Sequence, residues 1–389
     1  MKIVFAVPNS GCAYWRCKQP NNMIQKLGLA ESVMFHDNIT QEETEKLIDW
    51  GDVIVFQSSM GIPMVATVAK LKAMGKTVVG DYDDLSFALS PFNPAYKTLG
   101  LNEVKIKHEG EERYLYQDGV AGFSIQANYF RYKSLQDLLK SFNMVTTTAP
   151  YIKSKYSEFN KNLLILPNSI DFNLFKPFPK EENKQIRIGW TPSDSHYSEI
   201  WMVKRIIRKI INKYGDKIIF VVLGNLFELG VEFKLNEMER HDFIGLDLYP
   251  IKLASLNLDI GLCPLDNNEF NKAKSQLKWS EYSSIRVPSV CSKLEPYDCV
   301  EDGVTGLVAK DEDEFFEKIC VLVENAKLRK EIADNAYDKS YQDFNLEKNA
   351  PLWVEAYEQA MEVKCEQSLL AQEVLVEDTT KTLQTSDIA

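Results

Sequence analysis

No apolar run in this chain approaches the roughly 18–20 residues needed to cross a bilayer, so no transmembrane helix is expected. The opening residues, "MKIVFAVPNSG", lack the basic segment, long apolar stretch and small-residue cleavage site of a signal peptide. They read as a first β-strand running into a loop. Positive charge is in short supply: 45 Lys and Arg against 56 Asp and Glu give a formal net charge of −11. That balance argues against a broad nucleic-acid footprint, although a local basic groove stays open. Cysteine is sparse and unpaired in pattern. Seven, an odd number, are scattered through mostly apolar segments, as reduced thiols of a cytoplasmic protein would be. Cys12 and Cys17 lie closest, but no second pair and no nearby histidine completes a zinc site. The G-x-G-x-x-G pattern is missing as well, so no bound dinucleotide is expected.

What is present describes a globular protein. The 389 residues are 45% hydrophobic and 26% charged, long enough for two domains. Strands are expected at Lys2–Val7, Val33–His36, Val53–Gln57, Thr77–Asp81, Met144–Thr148 and Leu163–Leu166. Helices fall between them, at about 18–27, 41–49, 63–74, 128–141 and 150–158. The stretch 91–126, with "SPFNP" and "KHEGEERYLYQDG", breaks this rhythm and reads as an insertion or lid. The stretch 172–185, "FNLFKPFPKEENKQ", reads as a linker. Alternation then restarts at Ile186–Trp190, helix 198–213, Ile218–Leu223, Asp242–Ile244, Asp259–Pro264, helix 271–284, Pro288–Cys291 and Gly306–Ala309. Helices follow at about 312–324, 326–341 and 349–362. The expected division is therefore a first domain at 1–170, a linker at 171–185 and a second domain at 186–345. A last helix at 346–362 and an acidic tail at 363–389 complete it. Such alternation implies an α/β protein with two doubly wound parallel sheets and a ligand cleft between them.

Several residues are placed for chemistry. In "FNKAKSQLKWSEY" (270–282), Lys274, Lys278 and Glu281 fall at i, i+4 and i+7, on one side of the expected helix. That helix follows a strand, so its amino end, with Lys274 and Ser275, offers amides, a cation and a hydroxyl to an anion. The plainer reading is a solvated face with a Lys278–Glu281 pair. "GWTPSDSHYSE" (189–199) brings Ser193, Ser195 and His196 to another strand end; Asp194 or Ser195 as a simple N-cap is the alternative. Gly11 and Arg16 follow the first strand, either near a ligand or in an ordinary loop. "GDYDDLS" (80–86) holds Asp81-Tyr82-Asp83, a formal D-x-D. Asp83 or Asp84 is a candidate for binding ligand hydroxyls or for a catalytic base, with a turn cluster as the alternative.

The run from Asp259 to Ala309, "DIGLCPLDNNEFNKAKSQLKWSEYSSIRVPSVCSKLEPYDCVEDGVTGLVA", resembles the donor-binding block of GT-B glycosyltransferases, in particular retaining family four. "LPNSIDFNLFKP" (166–177), "VVLGN" (221–225) and "MVTTTAPYIKSKY" (144–156) are similar to further segments of that family. The resemblance covers 140–345 well and 1–140 in outline. It implies a GT-B fold and a glycosyltransferase taking a UDP- or GDP-linked sugar, with retention, to an acceptor the sequence does not name. It also implies independence of metal and no permanently bound cofactor. Glu281 matches the second glutamate of the family's E-x7-E motif, which contacts the donor ribose, and Asn225 falls in a donor-side turn. The first glutamate falls at Ala273, and the Arg and Lys often found after the strand at 186–190 are replaced by small hydroxyl residues. These departures keep two other readings in play: a binding protein that kept the fold, and an enzyme of another class, such as a sugar-nucleotide epimerase.

Overall fold

Strand β1 (Lys2–Ala6) is apolar after Lys2, and Ile3, Val4 and Phe5 are fully buried. A strand buried on both faces belongs inside a parallel sheet covered by helices on either side. In the computed structural model it is. The structure describes all residues except 9, 10, 37, 38, 109, 180–182, 226–228, 235 and 366–389. Strands β2 (Glu31–Phe35), β3 (Val53–Gln57) and β4 (Thr77–Tyr82) join β1. After the hairpin β5 (Val104–His108) and β6 (Glu111–Tyr116), β7 (Met144–Thr147) and β8 (Leu163–Ile165) complete a parallel sheet. Its order is β2-β1-β3-β4-β7-β8.

The second sheet is built from β9 (Ile186–Trp190), β10 (Ile218–Leu223), β11 (Met238–His241), β12 (Ile260–Cys263), β13 (Ser289–Ser292) and β14 (Leu307–Ala309). It is parallel too, in the order β11-β10-β9-β12-β13-β14. In each sheet the chain starts in the interior and winds outward in both directions. The reversal lies between β1 and β3 in the first sheet and between β9 and β12 in the second. Such switch points leave a crevice beyond the carboxyl ends of the two central strands, because the connecting helices diverge to opposite faces.

Packing fixes how the halves meet. The helix Ile200–Tyr214 buries Ile200, Val203, Ile206, Ile207, Ile210 and Ile211 on one stripe against the second sheet. On the opposite face, Trp279 and Tyr282 pack under β12, where a Cβ on Gly261 would stand 2.6 Å from the Tyr282 ring. The last helix, 346–365, crosses back and buries Trp353, Tyr357 and Ala360 with Ile3 and Phe5 of β1. The two passages between the sheets run side by side, with Ile170 N–H donating to Phe344 O at 2.7 Å and Leu346 N–H to Ile170 O at 2.8 Å.

Several sequence expectations need correction. The strand expected at 242–244 lies at 238–241, because the ladder pairs Phe220 with Met238, while Glu239 is held by Arg187 at 2.8 Å. The 91–126 stretch, expected as an insertion or lid, carries the β5–β6 hairpin, which forms a two-stranded sheet of its own. The helix expected at 271–284 is two helices, Glu269–Lys272 and Leu277–Ser284, separated by a turn. The tail expected at 363–389 lies outside the described residues from 366 onward, and 363–365 continue the last helix.

Candidate active site

A cavity of about 420 Å³ opens where the two crevices face each other. From the first sheet, Gly11, Cys12 and Trp15 follow β1, and Asp83 and Asp84 follow β4. From the second, Thr191–Ser193, Ser195 and His196 follow β9, and Leu223 and Gly224 end β10. Leu265 follows β12, and Lys274, Ser275, Lys278 and Glu281 close that wall. Gly224, at φ +122°, lets β10 turn tightly beside the β9 loop; a Cβ there would meet Pro192 O at 2.4 Å.

The break at 273–276 changes how the lysines reach the cavity. Asn268 caps the short first helix by accepting from Asn271 N–H at 2.9 Å. The Asn271 side chain is itself held by the buried Glu199 at 2.6 Å. The chain then turns, and Gln276 Nε2 donates to Asn168 O at 2.7 Å. Lys274, on the turn, and Lys278 and Glu281, on the second helix, still line one wall. The stripe therefore does not face bulk solvent. The Lys278 and Glu281 side chains are only 19% and 4% exposed and pair at 2.9 Å.

Their surroundings set the charge. Tyr249 Oη donates to Glu281 Oε2 at 2.8 Å, the same oxygen that Lys278 meets. Among the described residues nothing donates to Glu281 Oε1. Burial alone would lower the Lys278 pKa, but the Glu281 carboxylate raises it, so the ammonium persists. Burial and the nearby Glu281 charge push the Tyr249 phenol up. Lys274 Nζ meets Ser195 Oγ at 3.0 Å and lies 4.7 Å from the centre of the Phe270 ring. No carboxylate among the described residues pairs with it.

His196 is held neutral, first by burial and then by the Lys274 and Lys278 charges. The Ser193 backbone N–H approaches its Nδ1 at 3.4 Å, and Ser193 Oγ lies 3.0 Å away. A backbone N–H can only donate, so Nδ1 accepts and the ring proton sits on Nε2.

Carboxylates occupy the opposite wall. Asp83 Oδ1 accepts from Gln57 Nε2 at 3.1 Å and from Ser58 Oγ at 3.2 Å. Ser58 adopts φ +49° at the end of β3, a conformation a non-glycine residue holds only when its surroundings enforce it. Burial, then the Asp84 charge, raises the Asp83 pKa to about 6. Burial, then Asp83, pushes the Cys12 thiol up. Ligand atoms of Cys12, Asp83 and Asp84 lie within 4.8 Å of one another, a set able to hold a cation.

The structure separates the other residues singled out in the sequence. The D-x-D does not form one site, because Asp81 turns into the protein and is 1% exposed. Its partner is Arg16, also 1% exposed, which binds it through Nε at 3.0 Å and Nη2 at 2.7 Å. Arg16, expected near the ligand, is thus consumed in a buried pair. Gly11 lines the cavity, with open space where its Cβ would be. Asn225 lies just past the wall, its N–H held by Pro192 O at 3.3 Å, and no described residue of 91–126 lines the cavity. Thr191, Tyr249, Cys12 and Asn168 belong to the site but were not singled out from sequence. Of these, Thr191 in "GWTPSDSHYSE", Cys12 beside Gly11 and Asn168 in "LPNSIDFNLFKP" stand within or beside quoted motifs, whereas Tyr249 does not.

No family model matches the chain, and no curated protein matches it by sequence. Solved structures do. Sucrose-phosphate synthase from Thermosynechococcus elongatus aligns over 92% of this chain and 98% of its own, at TM-score 0.65 and 12% identity. Anabaena HepE in complex with UDP and glucose aligns over 92% of this chain and all of its own, at TM-score 0.59 and 14% identity. Staphylococcus aureus MnaA with UDP aligns over 93% and 98%, at TM-score 0.52 and 9% identity. The fold is GT-B. Its cleft, between two facing parallel sheets, is where this chain gathers two lysines, a neutral histidine and an opposing pair of carboxylates.

Proposed function

We propose that this GT-B protein is a glycosyltransferase that takes its sugar from a nucleoside diphosphate sugar, UDP-linked before GDP-linked. One observation carries the reading. Lys274, without a carboxylate partner among the described residues, and the largely buried Lys278–Glu281 pair converge on the cavity wall at the switch point of the second sheet. A diphosphate supplies the negative charge that wall is short of. Lys274, Lys278 and Ser275 hold its oxygens, with Ser193, Ser195 and the Nε2–H of His196 as further donors. Glu281 Oε1 receives ribose hydroxyls. HepE and MnaA, both solved with UDP, support the choice of base.

The acceptor comes from the first-sheet side. The C1–O bond to the diphosphate breaks with its electron pair on the leaving oxygen, where the lysines stabilise it. The acceptor oxygen bonds C1, and its proton passes to Asp83 or to the leaving diphosphate. Asp83, with a pKa of about 6, is ionised at neutral pH yet basic enough to accept that proton. Retention of configuration goes with the family-four resemblance. If a divalent cation takes part, Cys12, Asp83 and Asp84 are the residues that would hold it, adding charge beside the acceptor.

A second reading rests on Ala273. It is fully buried, grouped with the apolar core of the first sheet, so no carboxylate faces the sugar from that position. A protein that binds sugar nucleotides without turning them over would suit such a site. Incubation with UDP-, GDP-, ADP- and dTDP-sugars separates the two. Slow release of one nucleotide, abolished in Lys274→Ala, supports the transferase; saturable binding with no release from any donor supports the binding protein.

A further inference from the structure

Asn168 lies on the passage between the two sheets, 6% exposed, and touches both halves of the cleft. On one side Arg16 Nη1 donates to its Oδ1 at 3.2 Å. On the other its Nδ2 donates to Ser275 Oγ at 2.9 Å, and its carbonyl accepts from Gln276. The amide has only one consistent orientation. A guanidinium only donates, so the oxygen must face Arg16 and the NH₂ must face Ser275. Arg16 is itself immobile, clamped by Asp81, which also accepts from Thr146 Oγ1 at 2.7 Å.

Resting on the donor reading above, we propose that Asn168 is a positioning residue that makes the Ser275 hydroxyl a donor aimed at the diphosphate. Because Ser275 Oγ accepts from Asn168, its own proton is turned away from Asn168, and no described residue accepts it. Ser275 lines the cavity next to Lys274. The buried Arg16–Asp81 pair therefore sets the polarity of a hydroxyl on the other half of the protein. Through Gln276 the same residue also holds the turn that brings Lys274 to the wall.

Asn168→Asp tests this without removing the Arg16 contact. A carboxylate keeps an acceptor for the guanidinium, but on the other side it accepts from Ser275, turning the hydroxyl inward and setting a negative charge near the phosphates. UDP and uridine are titrated into wild type, Asn168→Asp and Ser275→Ala, with GDP and guanosine in parallel and melting followed for each. Asn168→Asp should weaken UDP binding by about tenfold or more, and Ser275→Ala by a smaller factor. Uridine binding should stay unchanged, because it has no phosphate. Equal weakening of UDP and uridine, or UDP binding to Asn168→Asp as tight as to wild type, overturns the inference and leaves the donor site standing. If Asn168→Asp does not fold, Ser275→Ala, which spares the Arg16 contact, decides on the same ratio. Wild-type protein that binds neither nucleotide overturns the donor reading, and this inference with it.

Discussion

Arg16 and Lys274 look alike in the sequence: each is a basic residue shortly after a strand of a doubly wound sheet. The structure gives them opposite roles. Arg16 is buried among Asp81, Leu166 O and Asn168, so its donors are spent inside the protein. Lys274 has one neutral oxygen and one aromatic ring beside it, on the wall of a cavity. A charge whose partners are all internal holds the fold together. A charge with partners still to find binds something else. The difference lies in the count of satisfied donors, which neither spacing nor residue type reveals.

Breaking the first pair should have the larger effect. Arg16→Ala strands the buried Asp81 carboxylate, and urea unfolding should show a loss of about 3–5 kcal/mol. Lys274→Ala should leave unfolding within about 0.5 kcal/mol of wild type. It should nevertheless cost nucleotide affinity of about 10- to 100-fold by titration calorimetry, the worth of a charged hydrogen bond. If the two variants exchanged these effects, the contrast would collapse.

Asp83 sharpens it further. Its folded pKa, about 6, lies above the ordinary carboxylate value. Its contribution to stability is therefore complete at low pH and is lost as pH rises through 6. Asp83→Asn, which mimics the protonated form, should be neutral near pH 4 and stabilising at pH 8, on the order of 1 kcal/mol after allowing for solvent screening. Donor turnover should rise through pH 6 in wild type, and that limb should vanish in the variant. The smallest effect is expected at Glu269, which Tyr151 and Lys155 meet from the other half and Lys272 from its own short helix. Half exposed, Glu269→Gln should change stability by a few tenths of a kcal/mol in low salt and less in high salt.

Much of the fold was legible because its strands are buried on both faces. Val53–Gln57, Ile186–Trp190 and Ile218–Leu223 were read with their observed bounds, since β-branched runs leave little choice of state. Strand β11 was not, because Met238–His241 carries its polar residues into an edge strand paired on one side only. The break in the 271–284 helix was invisible for a different reason. It depends on Asn168, about a hundred residues earlier, and on Glu199, about seventy earlier, whose side chains capture the turn and the short helix before it. The wall formed by Lys274, Ser275, Lys278 and Glu281 could be anticipated because strand ends in doubly wound sheets face the crevice. Tyr249 could not, since nothing local in "LDLYPIK" marks a tyrosine whose partner, Glu281, lies on another helix.

The most direct measurement is the affinity of UDP for wild type and for Lys274→Ala, under conditions where both are fully folded. A diphosphate site on this wall predicts saturable binding to wild type, weakened by about tenfold or more in the variant. UDP binding that is absent from wild type, or equally tight in both proteins, would contradict it.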